Sequence, residues 1–285
     1  MLATLVIVFR EVIEAGLIVG IVLAATQGVP RRALWVAYGV GGGVLGACLV
    51  AAFAGEIESL FEGVGQELFN ASILILAVVM LTWHNVWMAG HGRQMAREMR
   101  EMGSKVVSGE RTLAALAVVV GVAVLREGAE VVLFLYGIAS QPGETSASML
   151  TGGALGLAAG AGMSALMYYG LLQIPAHKLF RVTAGLITLL AAGMAAQAVL
   201  FLQNAGYLQV LMTTLWDTSW LLPESGPGVL GIVGRILHTL IGYSEAPNGM
   251  QLIAYVTTIV AITLLMRWEN ARNPHGPKPV PQPAE

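Results

Sequence analysis

The sequence predicts an all-α membrane protein with seven transmembrane helices, an outer N-terminus and a cytoplasmic C-terminus, arranged as two inverted three-helix repeats plus a seventh helix. Three observations predict this fold class: the composition, the number of long apolar runs, and the distribution of the basic residues. Of the 285 residues, 56% are hydrophobic and only 11% are charged, and the mean hydropathy is +0.73. This composition is far from that of a soluble domain and indicates a chain that crosses the bilayer several times.

Seven apolar runs have the length that crosses a bilayer, about 20 residues each. They occupy residues 2–25, 34–54, 69–89, 113–139, 149–172, 182–203 and 250–268. No basic segment precedes the first run, and three charged residues interrupt it, so a cleaved signal peptide is not expected. Cys48 is the only cysteine, which excludes an intrachain disulfide.

The basic residues predict the orientation of these runs, because short cytoplasmic loops retain Lys and Arg. The first, third and fifth loops and the tail carry twelve of the fifteen basic residues, namely Arg31, Arg32, Arg93, Arg97, Arg100, Lys105, Arg111, Lys178, Arg181, Arg267, Arg272 and Lys278. The remaining loops contain only Arg235. We therefore expect the N-terminus outside and the C-terminus in the cytoplasm.

The first and fourth runs each contain an arginine and two glutamates in the same pattern, RExxE. The two segments read VFREVIEAGLIVG at residues 8–20 and VLREGAEVVLFLYG at residues 124–137, so the charged residues are Arg10, Glu11, Glu14, Arg126, Glu127 and Glu130. In a helix, residues three or four apart share one face. Each pair of carboxylates therefore projects together, and each arginine can contact the second glutamate.

Six charges in the membrane are costly, at about 2.5–3.5 kcal/mol each on the insertion scale. We therefore expect the two helices to face each other, so that four carboxylates and two guanidiniums share one pocket with a net charge of −2. Oxygen ligands with no cysteine or histidine beside them suit hard ions such as Fe³⁺, Mn²⁺, Mg²⁺ or Ca²⁺, and a trivalent ion gains most. The alternative is a purely structural role, in which each arginine neutralises the glutamates of its own helix. That role needs only one glutamate for each arginine, whereas each helix carries two.

The order of the runs indicates a duplicated unit. A glycine stripe with four-residue spacing follows each RExxE run, and its members are Gly39, Gly42, Gly43, Gly46, Gly152, Gly156 and Gly160. Because three helices is an odd number, the two units would run in opposite directions. The predicted membrane domain covers 1–268. It consists of repeat one (about 1–90), repeat two (about 112–203), an outer amphipathic segment (204–249) and the last helix (250–268), and a disordered cytoplasmic tail (269–285) follows.

Two further patterns lie outside the charged segments. Glu56, Glu58 and Glu62 cluster in the second loop and form a candidate outer entrance for cations. The alternative is that outer loops are acidic only because basic residues are depleted there. A stripe from His84 to Met102 is more typical of a packing surface than of a path for soft metal ions.

The two RExxE segments, with GYSEAPNGMQLIAY before the last run, resemble the oxidase-dependent iron permease family of fungi and bacteria. The resemblance implies an iron transporter of the bacterial inner membrane rather than an enzyme. It implies Glu11, Glu14, Glu127 and Glu130 as iron ligands, with Arg10 and Arg126 as required neighbours. It also implies iron as the transported substrate, with Fe³⁺ favoured over Fe²⁺, no organic cofactor, and no nucleic-acid partner. A separate periplasmic or extracellular protein would oxidise or deliver the iron.

Two other functions are compatible with buried glutamates. One is an intramembrane di-iron carboxylate oxidoreductase, although such sites normally use Glu-x-x-His on a helix, which neither segment has. The other is a proton-coupled carrier of another cation, in which the glutamates would relay protons.

Overall fold

The structure is a computed structural model that describes residues 1–59, 66–139, 145–170, 176–223 and 228–272. Within these ranges the chain forms eight α-helices and a single isolated β-bridge, between Thr214 and Asn248. The helices are α1 Leu2–Ala25, α2 Arg32–Ser59, α3 Gln66–Val107, α4 Leu113–Ala139, α5 Ser146–Tyr168, α6 Ala176–Asn204, α7 Gly228–Ile241 and α8 Gly249–Arg272. The predicted all-α class is confirmed.

Five helices in the described ranges are long and apolar enough to cross a membrane, within α2, α3, α5, α6 and α8. The helices α1 and α4 are of similar length, 24 and 27 residues. At about 1.5 Å per residue each exceeds the thickness of a bilayer core. They differ from the other five in carrying the three charges of an RExxE segment near the middle.

The third helix is longer than its apolar run. The helix α3 has 42 residues and continues without a break beyond residue 89, where the predicted apolar run ends. Its distal half packs back on the bundle: Met99 and Met102 contact the apolar cluster around Val22, and Gly103 lies against Ala25. These methionines of the predicted stripe therefore lie in a packing surface.

The glycine stripes on α2 and α5 are helix contact surfaces. The helix α2 packs on α4, and α5 packs on α1. A Cβ at Gly43 would lie 2.7 Å from the carbonyl oxygen of Gly121, and one at Gly156 would lie 2.7 Å from that of Leu5. The two contacts have the same register. Gly121 on α4 corresponds to Leu5 on α1, with an offset of 116 positions, and Gly156 on α5 corresponds to Gly43 on α2, with an offset of 113. Gly42, in contrast, faces open space.

Two apolar clusters show that α1 and α4 run in opposite directions. The beginning of α1 shares a cluster with the end of α4, which we call the Phe134 cluster: Ala3, Ile7, Leu74, Ala77, Leu81, Phe134, Ile138, Ile187, Leu190, Ala191, Met194, Ala198 and Ile262. The end of α1 shares a cluster with the beginning of α4, which we call the Val22 cluster: Val22, Val36, Val106, Leu116, Val120 and Val124. Both RExxE segments lie between the two clusters.

The segment between α6 and α8 is only partly helical. Of its two amphipathic stretches, residues 228–241 form α7, whereas residues 207–216 form an irregular segment tied to the loop before α8. Leu215 N donates to the Pro247 carbonyl (2.9 Å), and Asn248 Nδ2 donates to Gln203 Oε1 (2.6 Å). The tail prediction also needs correction, because residues 269–272 complete α8, while 273–285 lie outside the described residues.

The glycine contacts make a direct prediction for stability. Gly43→Ala should lower the free energy of unfolding by about 1–3 kcal/mol, because the new methyl group overpacks the α2–α4 contact. The matched control is Gly42→Ala on the same helix, which should leave stability unchanged or raise it slightly, since Ala favours helix and the space is open. Thermal unfolding of both variants in detergent measures the difference, and equal melting temperatures would contradict the packing described here.

Candidate metal site

The first RExxE segment is buried in the middle of α1. Arg10 is 3% exposed and Glu11 is 1% exposed. The Arg10 guanidinium contacts both acids of its own helix, with Nη1 donating to Glu11 Oε1 at 2.9 Å and Nη2 lying 2.9 Å from Glu14 Oε1. The second contact has the four-residue spacing that the sequence predicts. One guanidinium thus serves two carboxylates, and α1 retains a surplus negative charge.

The second RExxE segment on α4 has the same pattern in a less buried setting. Arg126 Nε donates to Glu130 Oε1 at 3.1 Å and lies 3.8 Å from Glu127 Oε1. Its side chain is 33% exposed and its guanidinium lies over the Trp87 ring, 4.1 Å from the centroid. An arginine on an aromatic face is held by a cation–π attraction as well as by its carboxylates. The two arginines are therefore equivalent in sequence but not in surroundings.

His84 on α3 lies between the two segments. This position is not predicted by the sequence. Its side chain is 3% exposed. Its Nδ1 contacts Glu130 Oε2, and its Nε2 lies 3.6 Å from Glu14 Oε2 and 3.9 Å from Glu11 Oε2. The expectation of carboxylates without a neighbouring histidine is wrong. The sequence assigns His84 to a stripe more typical of a packing surface, and no spacing links it to residues on other helices.

Four side chains can converge on one ion. Glu11, His84, Glu127 and Glu130 each present a ligand atom, and these atoms lie within 4.8 Å of one another. Glu14 lies beside this group, held by Arg10 and close to His84. Buried carboxylate oxygens without a hydrogen-bond partner are costly, and Glu11 Oε2 and Glu127 Oε2 are two of them among the described residues. A bound cation would satisfy such oxygens, so the donor set fits a metal ion.

The structure gives little geometry for the predicted outer entrance. Glu56 and Glu58 lie near the end of α2, with side chains outside the described set, and Glu62 lies outside the described residues altogether. In the segment 204–249, Asp217 is an exposed acid. Hydrogen bonds from the Ser219 side chain and from Ser219 N, which lies 2.9 Å from Asp217 Oδ1, hold the pKa of Asp217 below its usual range.

Comparison with known proteins adds the family. The sequence model of the iron permease FTR1 family matches residues 1–269. The chain belongs to the iron permease FTR1 family. This FTR1-family protein is 30% identical to the ferrous iron permease EfeU of Escherichia coli O6:H1 over 249 residues, covering 85% of this chain and 86% of that protein. It is 29% identical over 267 residues to the ferrous iron permease EfeU of Yersinia pestis, with 91% and 90% covered. No solved structure gives a significant match.

The family assignment supports iron transport and identifies the chain as a transporter rather than an enzyme. The oxidoreductase alternative is therefore not retained. The apolar helices and the permease relatives also identify a multi-pass bacterial membrane protein.

The unequal burial of the two arginines predicts unequal costs of their removal. Arg10→Gln leaves two carboxylates buried without their cation and should lower the free energy of unfolding by about 3–5 kcal/mol. Arg126→Gln should cost clearly less, because that side chain is one-third exposed and its carboxylates also face His84. Thermal unfolding of both variants in detergent tests this order. Equal losses, or a larger loss for Arg126→Gln, would show that the difference in burial has no energetic consequence.

Proposed function

We propose that this FTR1-family protein moves iron across the bacterial cytoplasmic membrane through a site of four glutamates, Glu11, Glu14, Glu127 and Glu130. One observation carries the proposal: carboxylates from two antiparallel helices enter a single buried pocket that contains more acids than arginines. Buried ion pairs alone would need one acid for each arginine. The surplus of two negative charges is what a cation would compensate, and intramembrane charges of this kind are by default functional.

The proposal includes seven membrane spans, with α1 and α4 crossing beside the five apolar helices. Their charges turn inward toward each other and α3, so lipid would contact mainly apolar side chains. The equivalent register of the α1–α5 and α2–α4 contacts, together with the antiparallel course of α1 and α4, supports two inverted repeats. The distribution of basic residues supports an outer N-terminus and a cytoplasmic C-terminus.

Transport would require the pocket to open to one side at a time. The Phe134 cluster lies on the side of the pocket toward the beginning of α1, and the Val22 cluster lies on the opposite side. With an outer N-terminus, iron would enter past the Phe134 cluster and leave past the Val22 cluster. Movement of one repeat against the other would separate one cluster while the other stays packed. The acids Glu56, Glu58 and Glu62 remain the proposed outer entrance.

For the oxidation state we propose Fe²⁺ as the ion held in the pocket. Four carboxylates and two guanidiniums leave a net charge of −2, which a divalent ion neutralises. Four carboxylates would attract a trivalent ion still more strongly, which is why the sequence alone favours Fe³⁺. The relatives, however, are named ferrous iron permeases. The protein that delivers or oxidises iron outside the cell remains part of the proposal, on the strength of the family resemblance.

The uptake of iron by reconstituted vesicles tests the site. Glu11→Gln and Glu127→Gln keep the shape of the side chain but remove its charge. Each should reduce uptake by about 100-fold or more, because loss of even an outer-shell partner of a metal ligand costs about 10–100-fold. Glu98→Gln on the exposed part of α3 is the matched control and should transport normally. Offering Fe²⁺ and Fe³⁺ separately, with and without reductant, identifies the transported ion. Normal uptake by both site variants would reject the four-glutamate site.

The orientation is tested by thiol labelling in intact spheroplasts. In a Cys48→Ala background, Asp217→Cys should react with a membrane-impermeant maleimide, whereas Ser108→Cys in the turn after α3 should react only after lysis. Both positions are exposed in the structure, so a difference in labelling reports the side of the membrane. The reverse labelling pattern would invert the topology and with it the direction of transport.

A further inference from the structure

We propose that His84 is the specificity-determining residue of the metal site, and that its ring nitrogen selects a first-row transition ion such as Fe²⁺ over Mg²⁺ and Ca²⁺. This inference rests on the proposed function and adds to it a ligand and a basis for ion selection. The sequence predicts only oxygen ligands for this site, and oxygen ligands do not choose among hard ions. A nitrogen ligand from a third helix changes that chemistry.

The imidazole is buried at the centre of the charged cluster. It is 3% exposed and approached by carboxylates on both edges, with Glu130 at Nδ1 and both Glu14 and Glu11 at Nε2. Neither ring nitrogen makes a hydrogen bond of normal geometry within the described part of the chain. A core histidine would usually satisfy its two nitrogens with backbone or hydroxyl partners. The groups that approach these two nitrogens are instead carboxylates, which bind metals.

Packing around His84 fixes the ring toward the pocket. On one side its ring meets the edge of Phe134, with centroids 6.3 Å apart. The next residue, Asn85, points to α6, where Nδ2 donates to the Ala184 carbonyl (3.4 Å) and to Thr188 Oγ1 (3.5 Å). Successive residues of a helix point about 100° apart. The contacts of Asn85 therefore set the rotation of α3 that brings His84 toward α1 and α4.

The chemical consequence follows from ligand preference. Mg²⁺ and Ca²⁺ bind oxygen donors, whereas imidazole suits Fe²⁺ and the later divalent ions of the first row. Three carboxylates and one imidazole therefore form a mixed set that a hard ion uses less well. The helix α6, which corresponds to α3 in the second repeat, has no histidine equivalent to His84. Its only histidine is His177, in its first turn. Selection would thus depend on a single residue.

The competing explanation is that His84 only spaces the carboxylates and compensates their charge. Pulsed EPR of Mn²⁺ bound to the purified protein separates the two roles, because a coordinating ¹⁴N gives modulation with a large isotropic hyperfine coupling that a nearby, uncoordinated nitrogen does not give. We expect ¹⁴N modulation in the native protein and in His91→Gln, a matched substitution seven residues along the same helix. The modulation should disappear in His84→Gln and in His84→Asp. A native protein without ¹⁴N modulation overturns the proposal without any variant.

Competition for uptake gives the second readout. In vesicles, the excess of Ca²⁺ or Mg²⁺ needed to halve Fe²⁺ uptake should fall by about 10-fold or more in His84→Asp. The reason is that aspartate replaces the nitrogen ligand by an oxygen ligand, which Ca²⁺ and Mg²⁺ prefer. This excess should not change in His91→Gln. If native vesicles take up no iron, the proposed function itself fails. If native uptake depends on the glutamates but His84→Asp discriminates as the native protein does, only the role of His84 is refuted.

Discussion

Compensation of buried charge is the constraint on which the rest of this structure depends. Arg10, Glu11 and Glu127 are all at most 3% exposed, and isolated charges at that depth would be prohibitive. They are tolerable only if α1, α3 and α4 meet at one point, where each carboxylate has a guanidinium, an imidazole or an ion within reach. The surplus of acids means that protein groups alone do not complete the compensation. The same constraint therefore brings the helices together and supports the proposed cation site.

Close helix contacts make this meeting possible. Each RExxE helix is held along its length by the glycine-bearing helix of the other half, so α1 packs on α5 and α4 packs on α2. Glycine allows the backbones to approach until carbonyl oxygens lie where a side chain would otherwise be. The proposed metal site therefore lies where the α1–α5 pair meets the α2–α4 pair, and a relative movement of the two pairs would change it.

Much of this arrangement could be predicted from the sequence, because its signals are local. Charges in an apolar run and glycines at four-residue spacing indicate the helices, the pairing of Arg10 with Glu14, and the convergence of α1 and α4. The role of His84 could not be predicted, since nothing near it in the chain reveals which helices it will face. The length of α3 was missed because its apolar run ends at residue 89, whereas packing of Met99 and Met102 on the Val22 cluster sustains the helix beyond that point.

The Phe134 and Val22 clusters also matter for the insulating property of the membrane. A polar pocket with six ionisable groups from the RExxE segments would, if wet from both faces, give protons and small ions a route down their electrochemical gradient. Side chains at most 8% exposed lie on each side of the pocket and would limit the access of bulk water to it. This packing would let a strongly charged pocket lie within an energy-transducing membrane without dissipating the gradient that the membrane stores.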